Sequence, residues 1–340
     1  MMSEKPIVIV GAGVIGLTCA HHLALKGYKN VRIVAKEYPT TDAYSKNYAS
    51  SGVFTHHKLN QLDQSLHELS EKTYHHFKAL SKYSDTSISF IDCMDSFPID
   101  ANYTVSTELD DSKFLVSISE SSSEINIGYN YPTWTLNPRT YVSWLEHQLK
   151  DVYKIKCDKL ELKSLKQVEE LYNPKTIVNC TGMGLQYDGS WDPTCFSTKE
   201  VSLLIKPSKL CILEPDNVLN IHLKDNTVCY RATRGSENDV VIGITSDILS
   251  CSNNQLSARE TISLFNVAFP ELLIDDWFDI KRFNVKMKHL RKGGIKIGRQ
   301  VKECSLSIID CYGFGNHDFE LSWGASCEVM KLISDSKSKL

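Results

Sequence analysis

The 340-residue chain lacks a dominant charge sign, a paired-cysteine motif, a long apolar run and an internal repeat. Each absence excludes a class of protein. A formal net charge of −3, with basic and acidic residues interspersed, offers no basic field to a phosphate backbone or an anionic membrane. No nucleic-acid partner is expected. The eleven cysteines form no C-x-x-C pair, so scattered reduced thiols in a reducing compartment are expected, with neither disulfide framework nor metal. No stretch reaches the roughly 18 apolar residues of a membrane helix. The opening "MMSEKP" runs into an apolar segment with no basic leader or cleavage site, so neither membrane association nor a signal peptide is expected.

What is present points to a packed enzyme-sized core, because 42% hydrophobic content over this length suffices for one large or two ordinary domains. "PIVIV" (6–10) reads as a buried parallel strand, and "GAGVIG" follows at once. A helical stretch then carries Leu17, Ala20, Leu23 and Ala24 on one spacing and stops at Gly27; "NVRIVAKE" is the next strand. Strand, G-x-G-x-x-G, helix and strand form a dinucleotide-binding βαβ unit. Gly11 serves the tight turn, Gly13 the approach of backbone amides to a pyrophosphate, and Gly16 close helix–strand packing, while Ala12, Val14 and Ile15 complete the turn. The helix N-terminus adds partial positive charge. Lys36 and Glu37 end the second strand, and Glu37 is the candidate for the ribose hydroxyls.

Helical periods recur over about 60–83 and 138–152, and a capping box at Ser257 and Glu260 starts a helix that Pro270 ends. Alternating segments between about 196 and 250 predict an antiparallel sheet with one solvated face. Two further strands end in glycine turns, "IVNCTGMG" with Thr181 and Gly182, and "CSLSIIDCYGFG" with Gly313 and Gly315. Three glycine-bearing strand ends suit a long, extended dinucleotide such as FAD better than NAD. The fold expected is α/β: a Rossmann-type FAD-binding domain with a parallel sheet (1–85, 138–195 and 285–337), interleaved with a β-rich antiparallel-sheet substrate domain (86–137 and 196–284). The terminal Ser338, Lys339 and Leu340 read as a peroxisomal address for the import receptor.

Together "IVIVGAGVIGL", "VNCTGMG" and "YGFG…SWGA" resemble the D-amino-acid oxidase and D-aspartate oxidase family of flavoproteins, in order and along essentially the whole chain. The resemblance implies a peroxisomal FAD enzyme that passes a hydride from Cα of a D-amino acid to flavin N5. The imino acid hydrolyses to a 2-oxo acid and ammonia, and oxygen is reduced to hydrogen peroxide. Tyr230 and Arg291 fall at the family's substrate-binding Tyr and Arg, where a guanidinium fork would hold the carboxylate. Gly313, Gly315, Asn316, His317, Asp318, Phe319 and Glu320 fall where the chain passes the flavin ring. Asn316 is counted with the catalytic residues, and Asp318 is expected to turn away and cap the helix starting near Glu320.

Ser50, Ser51, Gly52, Thr55 and His57 resemble the segment lining flavin and substrate, the histidine pair His56–His57 being otherwise an ordinary solvated feature. His57 resembles the D-aspartate branch, whereas Ser246 stands where that branch carries Arg, with Lys224 and Arg231 as other sources of charge. Neutral and acidic D-amino acids both stay open as substrates. A non-catalytic relative that keeps the fold as a binding module is the reading from another class.

Overall fold

The computed structural model describes residues 5–47, 54–55, 64–98, 114–118, 125–206, 217–222, 228–234, 239–245, 258–269, 280–300 and 306–335. Ser50, Ser51, Gly52, His56, His57, Lys224, Ser246, Ser257, Pro270 and Ser338–Leu340 lie outside the described residues, as does the side chain of Thr55.

The chain opens with β1 (Ile7–Val10), α1 (Val14–Leu25), β2 (Val31–Ala35) and α2 (Asp42–Asn47). A first excursion runs through β3 (Phe54–Thr55), α3 (Gln64–Leu80), β4 (Ser89–Pro98), β5 (Phe114–Ile118) and β6 (Ile125–Leu136). The chain returns through α4 (Pro138–His147), β7 (Lys156–Lys159), α5 (Leu165–Tyr172) and β8 (Thr176–Asn179). A second excursion takes in β9 (Cys195–Ile205), β10 (Asn217–His222), β11 (Val228–Arg234), β12 (Asp239–Thr245), α6 (Ala258–Ala268) and β13 (Ile280–Arg291). It closes with β14 (Lys296–Arg299), β15 (Ser307–Tyr312) and α7 (Asp318–Asp335).

Two sheets result. The first has the order β14-β15-β8-β1-β2-β7 and is parallel except for β14. β1 is buried along its whole length, as an apolar run covered on both faces must be. From β1 the chain steps one way to β2 and later the other way to β8, so the strand order reverses beside β1. Ligands of open α/β sheets bind in the crevice at the carboxyl ends of strands flanking such a reversal.

The second sheet has the order β13-β9-β12-β11-β10-β4-β6-β3, with β5 on β6; it is antiparallel except for the β4–β10 pair. The second sheet claims more of the chain at both ends than expected from sequence. β3 lies inside the segment assigned to the FAD domain, and β13 pairs with β9 as far as Arg291 instead of leaving near 285. A strand of twelve residues keeps its ladder as long as its partner continues.

Helix α1 is buried on almost every side, between the parallel sheet and the packed helices α4 and α7. Helices α3 and α7 touch closely enough that a Cβ on Gly324 would stand 2.2 Å from the carbonyl oxygen of Leu69. Edge-on packing of Phe77 against Trp134, with ring centres 4.7 Å apart, joins α3 to β6 in the same core. Each such fully buried large side chain contributes roughly 1.5–3 kcal/mol. One face of the second sheet is closed by Phe265 and Phe269 of the α6 segment, on Leu203, Ile242 and Ile244. Residues of the opposite parity, among them Tyr230, Glu200, Lys286 and Lys288, share the other face.

Candidate active site

A cavity of about 590 Å³ lies between the carboxyl edge of the parallel sheet and this second face. Its floor is made of backbone. Gly11 has φ +110°, and a Cβ there would sit 2.4 Å from the carbonyl oxygen of Cys180. A Cβ on Gly16 would sit 2.1 Å from the oxygen of Gly11, so α1 meets its own turn too closely for any side chain. Gly13 differs: a Cβ there would meet nothing within 4 Å and would project into open space. Gly13 is also the N-cap of α1 and supplies no side-chain hydrogen bond, leaving the first-turn amides to a ligand. A cradle that only a side chain would obstruct, at a helix N-terminus, fits a pyrophosphate.

Ala12, Val14, Ile15, Lys36, Glu37, Thr181, Gly182, Gly313, Gly315, Asp318 and Phe319 line the same cavity with Gly11 and Gly13, while Gly16 is buried below as a packing residue. Glu37 lies at the end of β2, as a ribose-binding carboxylate would. It accepts bonds from Lys159 (2.8 Å) and Thr41 (3.1 Å), and the Lys159 contact lowers its pKa. The thiols of Cys19, Cys180 and Cys311 meet beneath the floor within 4.8 Å of one another, so these three are gathered rather than scattered.

The opposite wall is made of side chains. Lys286 and Lys288 alternate with Met287 on β13 and reach the cavity with it. Lys288 is almost completely buried and pairs with Glu200 at 2.9 Å; Lys286 stands 3.7 Å from Asp318. Tyr230 donates to Glu200 at 3.1 Å. Its ring occupies the space above Gly243, its cross-strand partner, where a Cβ would come within 1.9 Å of Cζ. Burial pushes the Glu200 carboxyl up, but Lys288, Lys286 and the phenol outweigh it and hold the group below the usual carboxylate range. Burial, then the charge of Glu200, drives the Tyr230 phenol well above its ordinary value, so it remains a donor.

Several residues singled out in the sequence stand elsewhere. Arg291 does not line the cavity: its Nε donates to Asp192 (3.1 Å) and its Nη1 to the carbonyl of Gly294 (3.3 Å). Asp192 also accepts from Tyr312 (2.9 Å) and Thr194. Burial raises its pKa, yet bonds from Thr194, Tyr312 and Arg291 prevail and keep it ionised. The guanidinium is thus spent on a structural clamp behind Tyr312. Neither Tyr230 nor its partner Glu200 lines the cavity; they stand behind Lys288, which does. Arg231 alternates to the sheet's other face.

Asn316 is exposed and off the cavity, because the chain makes a 3-10 turn over Gly315–His317 that swings it outward. His317 turns to the buried Glu320 (2.9 Å), which also accepts from Ser70 (3.1 Å), so neither faces the cavity. Asp318 does face it. The helix begins at Asp318 itself, whose Oδ1 accepts from the Phe319 amide at 2.9 Å while the other oxygen looks to Lys286. The expected turning away does not occur.

Lys286 and Lys288, which reach the cavity, were missed by sequence reasoning. The alternation in "VKMKHLR" was the available signal, since two lysines at i and i+2 of a strand share one face.

The sequence pattern of the FAD dependent oxidoreductase family (DAO) matches residues 6–330. The chain belongs to this family. FAD is its cofactor, and the glycine floor fits that group. This oxidoreductase is 23% identical to a D-amino-acid oxidase of Schizosaccharomyces pombe, covering 96% of each chain. It is 22% identical to a D-aspartate oxidase of Talaromyces thermophilus, over 96% of this chain and 94% of that one. Among solved structures, glycine oxidase from Geobacillus kaustophilus shares the fold with a TM-score of 0.71 at 14% identity, covering 98% and 95% of the two chains.

Proposed function

We propose that this oxidoreductase oxidises D-amino acids at the Cα–N bond, with oxygen as the final acceptor. The overall balance is one amino acid, one O₂ and one water giving a 2-oxo acid, ammonium and hydrogen peroxide. The observation that carries the reading is a pair of largely buried lysines facing a dinucleotide cradle: Lys286 and Lys288, each beside a carboxylate, bring two ammonium groups on one strand to the cavity where a substrate carboxylate could bind. The likeness to D-amino-acid oxidases along nearly the whole chain supports the same substrate class.

FAD, when bound, supplies the two-electron acceptor. The chain's own residues do the rest. Lys288 and Lys286 hold the carboxylate as point charges, without the fork of an arginine. The Asp192 clamp on Arg291 and Tyr312 steadies the turn that leads from the second sheet back to β15. Phe319 adds buried apolar surface beside Lys286 that excludes water from the charge and so strengthens it. Orientation of a bound amino acid against a fixed acceptor is the contribution asked of the protein.

The test is anaerobic mixing of FAD-loaded protein with a panel of D- and L-amino acids. Bleaching of the flavin by D-amino acids, with peroxide after air is admitted, is the expected result. Retained yellow colour with every D-amino acid, or bleaching by L-enantiomers alone, overturns the reading.

A further inference from the structure

The three thiols beneath the floor come together through strand register. β15 runs parallel to β8 with Asp310 beside Asn179, so the next residue of each chain segment, Cys311 and Cys180, are neighbours on the other face. That face is covered by α1. A Cβ on Gly16 would stand 3.4 Å from the Cβ of Cys180, and Cys19 lies three residues further along the same side of the helix. The three Sγ atoms therefore converge, all within 4.8 Å of one another. No histidine or carboxylate joins them among the described residues. Cys19 and Cys311 belong to the main apolar core, and Cys180 packs against it.

We propose that Cys19, Cys180 and Cys311 form a three-sulfur site for one soft, thiophilic ion of the Cu(I) type. The site lies in the core below the cradle and is independent of which substrate the cavity takes. At ~2.3 Å, the metal–sulfur distance of zinc thiolates, three sulfurs in a plane round one ion stand roughly 4 Å apart. That falls within the observed spacing. Sulfur-only ligation selects a soft ion. Hard ions such as Mg²⁺ keep oxygen ligands and water, which an apolar core denies them. Zn²⁺ completes a tetrahedron with a fourth ligand, and the cluster holds three. Cu(I) is satisfied by three sulfurs in a plane. Binding replaces thiol protons, which leave to solvent, with no change in oxidation state. The bound ion ties α1 to β8 and β15, whose ends form the cradle. Cys180 is the link, since its carbonyl oxygen is the atom that forbids a side chain on Gly11. Cys180 and Cys311 also reach the cavity, which gives the ion its way in.

The experiment uses FAD-loaded protein with reduced thiols, kept free of oxygen and titrated with the purple bicinchoninate complex of Cu(I), whose colour stands clear of the flavin. One ion per chain is expected to leave the chelator. X-ray absorption at the copper edge should then show three sulfur neighbours with no nitrogen or oxygen. Outer-shell partners of a metal are worth roughly ten- to a hundredfold in affinity, so loss of a sulfur ligand itself should cost at least that. Cys19→Ala, Cys180→Ala and Cys311→Ala should each show it. Cys229→Ala, in the core of the second sheet, should bind as the wild type does. Flavin retention reports that each variant is folded. If an alanine variant loses its flavin, the serine variant, which keeps the volume and weakens the ligand, takes its place.

Copper that stays with the chelator, two sulfurs or fewer round the bound ion, or undiminished binding in any of the three variants overturns the proposal. So does Zn²⁺ that displaces the copper at equal concentration, because the site would then supply the fourth ligand of a tetrahedron. Three sulfurs in the wild type, lost with each of the three cysteines and kept in Cys229→Ala, establish the site.

Discussion

The two sides of the cavity are built on different principles. The floor is backbone: positive φ at Gly11, close approach at Gly16 and open space at Gly13 are three separate reasons for glycine within six residues. The wall is side chain: its lysines stand on β13, backed by Glu200 of β9 and Tyr230 of β11, which are far apart in sequence and adjacent only through strand register. A backbone site is written locally, since a residue type that alone tolerates a conformation announces that conformation. A cross-strand site is written in register, which no single stretch reveals.

The largest expected effect separates the two sides. In Gly13→Val the new Cβ meets no protein atom within 4 Å, so the fold should survive with little change in thermal stability. FAD binding should weaken by roughly a hundredfold or more, because the branched carbon fills the cradle. Flavin absorbance after purification and reconstitution reads this directly. Normal flavin content would mean that the floor is not where the dinucleotide lies. Gly16→Val is the contrast, since its Cβ collides with the Gly11 carbonyl and should cost folding itself.

Arg291 sharpens the comparison from the other side. Arg291→Ala removes one charged donor from the buried Asp192 while Tyr312 and Thr194 remain. A loss of ~1–3 kcal/mol in stability is expected, with ligand affinity changed little. Denaturant unfolding beside a calorimetric titration with 2-aminoisobutyrate, an amino acid without a Cα hydrogen, checks both halves. Loss of ligand binding at unchanged stability would return the guanidinium to the substrate and the wall assignment would fail.

Legibility in the sequence followed the same division. The βαβ unit, the glycine turns after β8 and β15, and the helix from Asp318 were readable because each depends on neighbours in the chain. The second sheet was readable as alternation, but its reach to Arg291 was not, since the end of β13 depends on where β9 stops. Arg291 illustrates the limit. Its neighbours in "HLRKGG" suggested a substrate fork, yet the residue that decides its role, Asp192, is 99 positions away. Lys288, three residues earlier, is the one that reaches the cavity. Asn316 lies off the cavity for a simpler reason, because a single 3-10 turn rotates the side chains after Gly315 and, of Asn316, His317 and Asp318, Asp318 alone comes round to it.

A graded effect should come from the core behind the floor, where His22, Trp323 and His76 stack with ring centres 4.3 and 3.5 Å apart and His21 packs alongside. Burial, then the charges of neighbouring His and Lys26, lowers His21 and His22 to about 4 and His76 to about 3, against 6.5 unfolded. The folded state therefore holds them neutral while the unfolded state takes up protons. Stability should be unaffected by these groups above pH about 6.5 and should decline as the pH falls from there toward about 4. Melting temperatures at pH 8, 7, 6 and 5 trace it. His76→Phe, which keeps the stack without a titrating ring, should flatten the slope; an unchanged slope would assign the acid sensitivity to other groups.

The smallest effect belongs to Asp318, which lies where floor and wall meet. Its carboxylate faces the first turn of α7, and a negative charge there is typically worth ~0.3–1 kcal/mol. It also faces Lys286, whose pKa is lowered by burial, raised by Asp318 and lowered again by Lys288. Asp318→Asn keeps an acceptor for the Phe319 amide and removes only the charge, so any stability lost is electrostatic. A fall of no more than ~1 kcal/mol is expected, and it should persist in added salt because both partners are largely shielded from solvent. Losing the negative charge also removes the group that keeps Lys286 protonated, so carboxylate ligands should gain at acidic pH and lose that gain as Lys286 deprotonates. Isobutyrate titrations of wild type and Asp318→Asn at pH 6 and pH 9 decide it. Parallel shifts at both pH values would show that Lys286 does not titrate in response to Asp318, and would leave Lys288 as the cation that sets the wall's affinity.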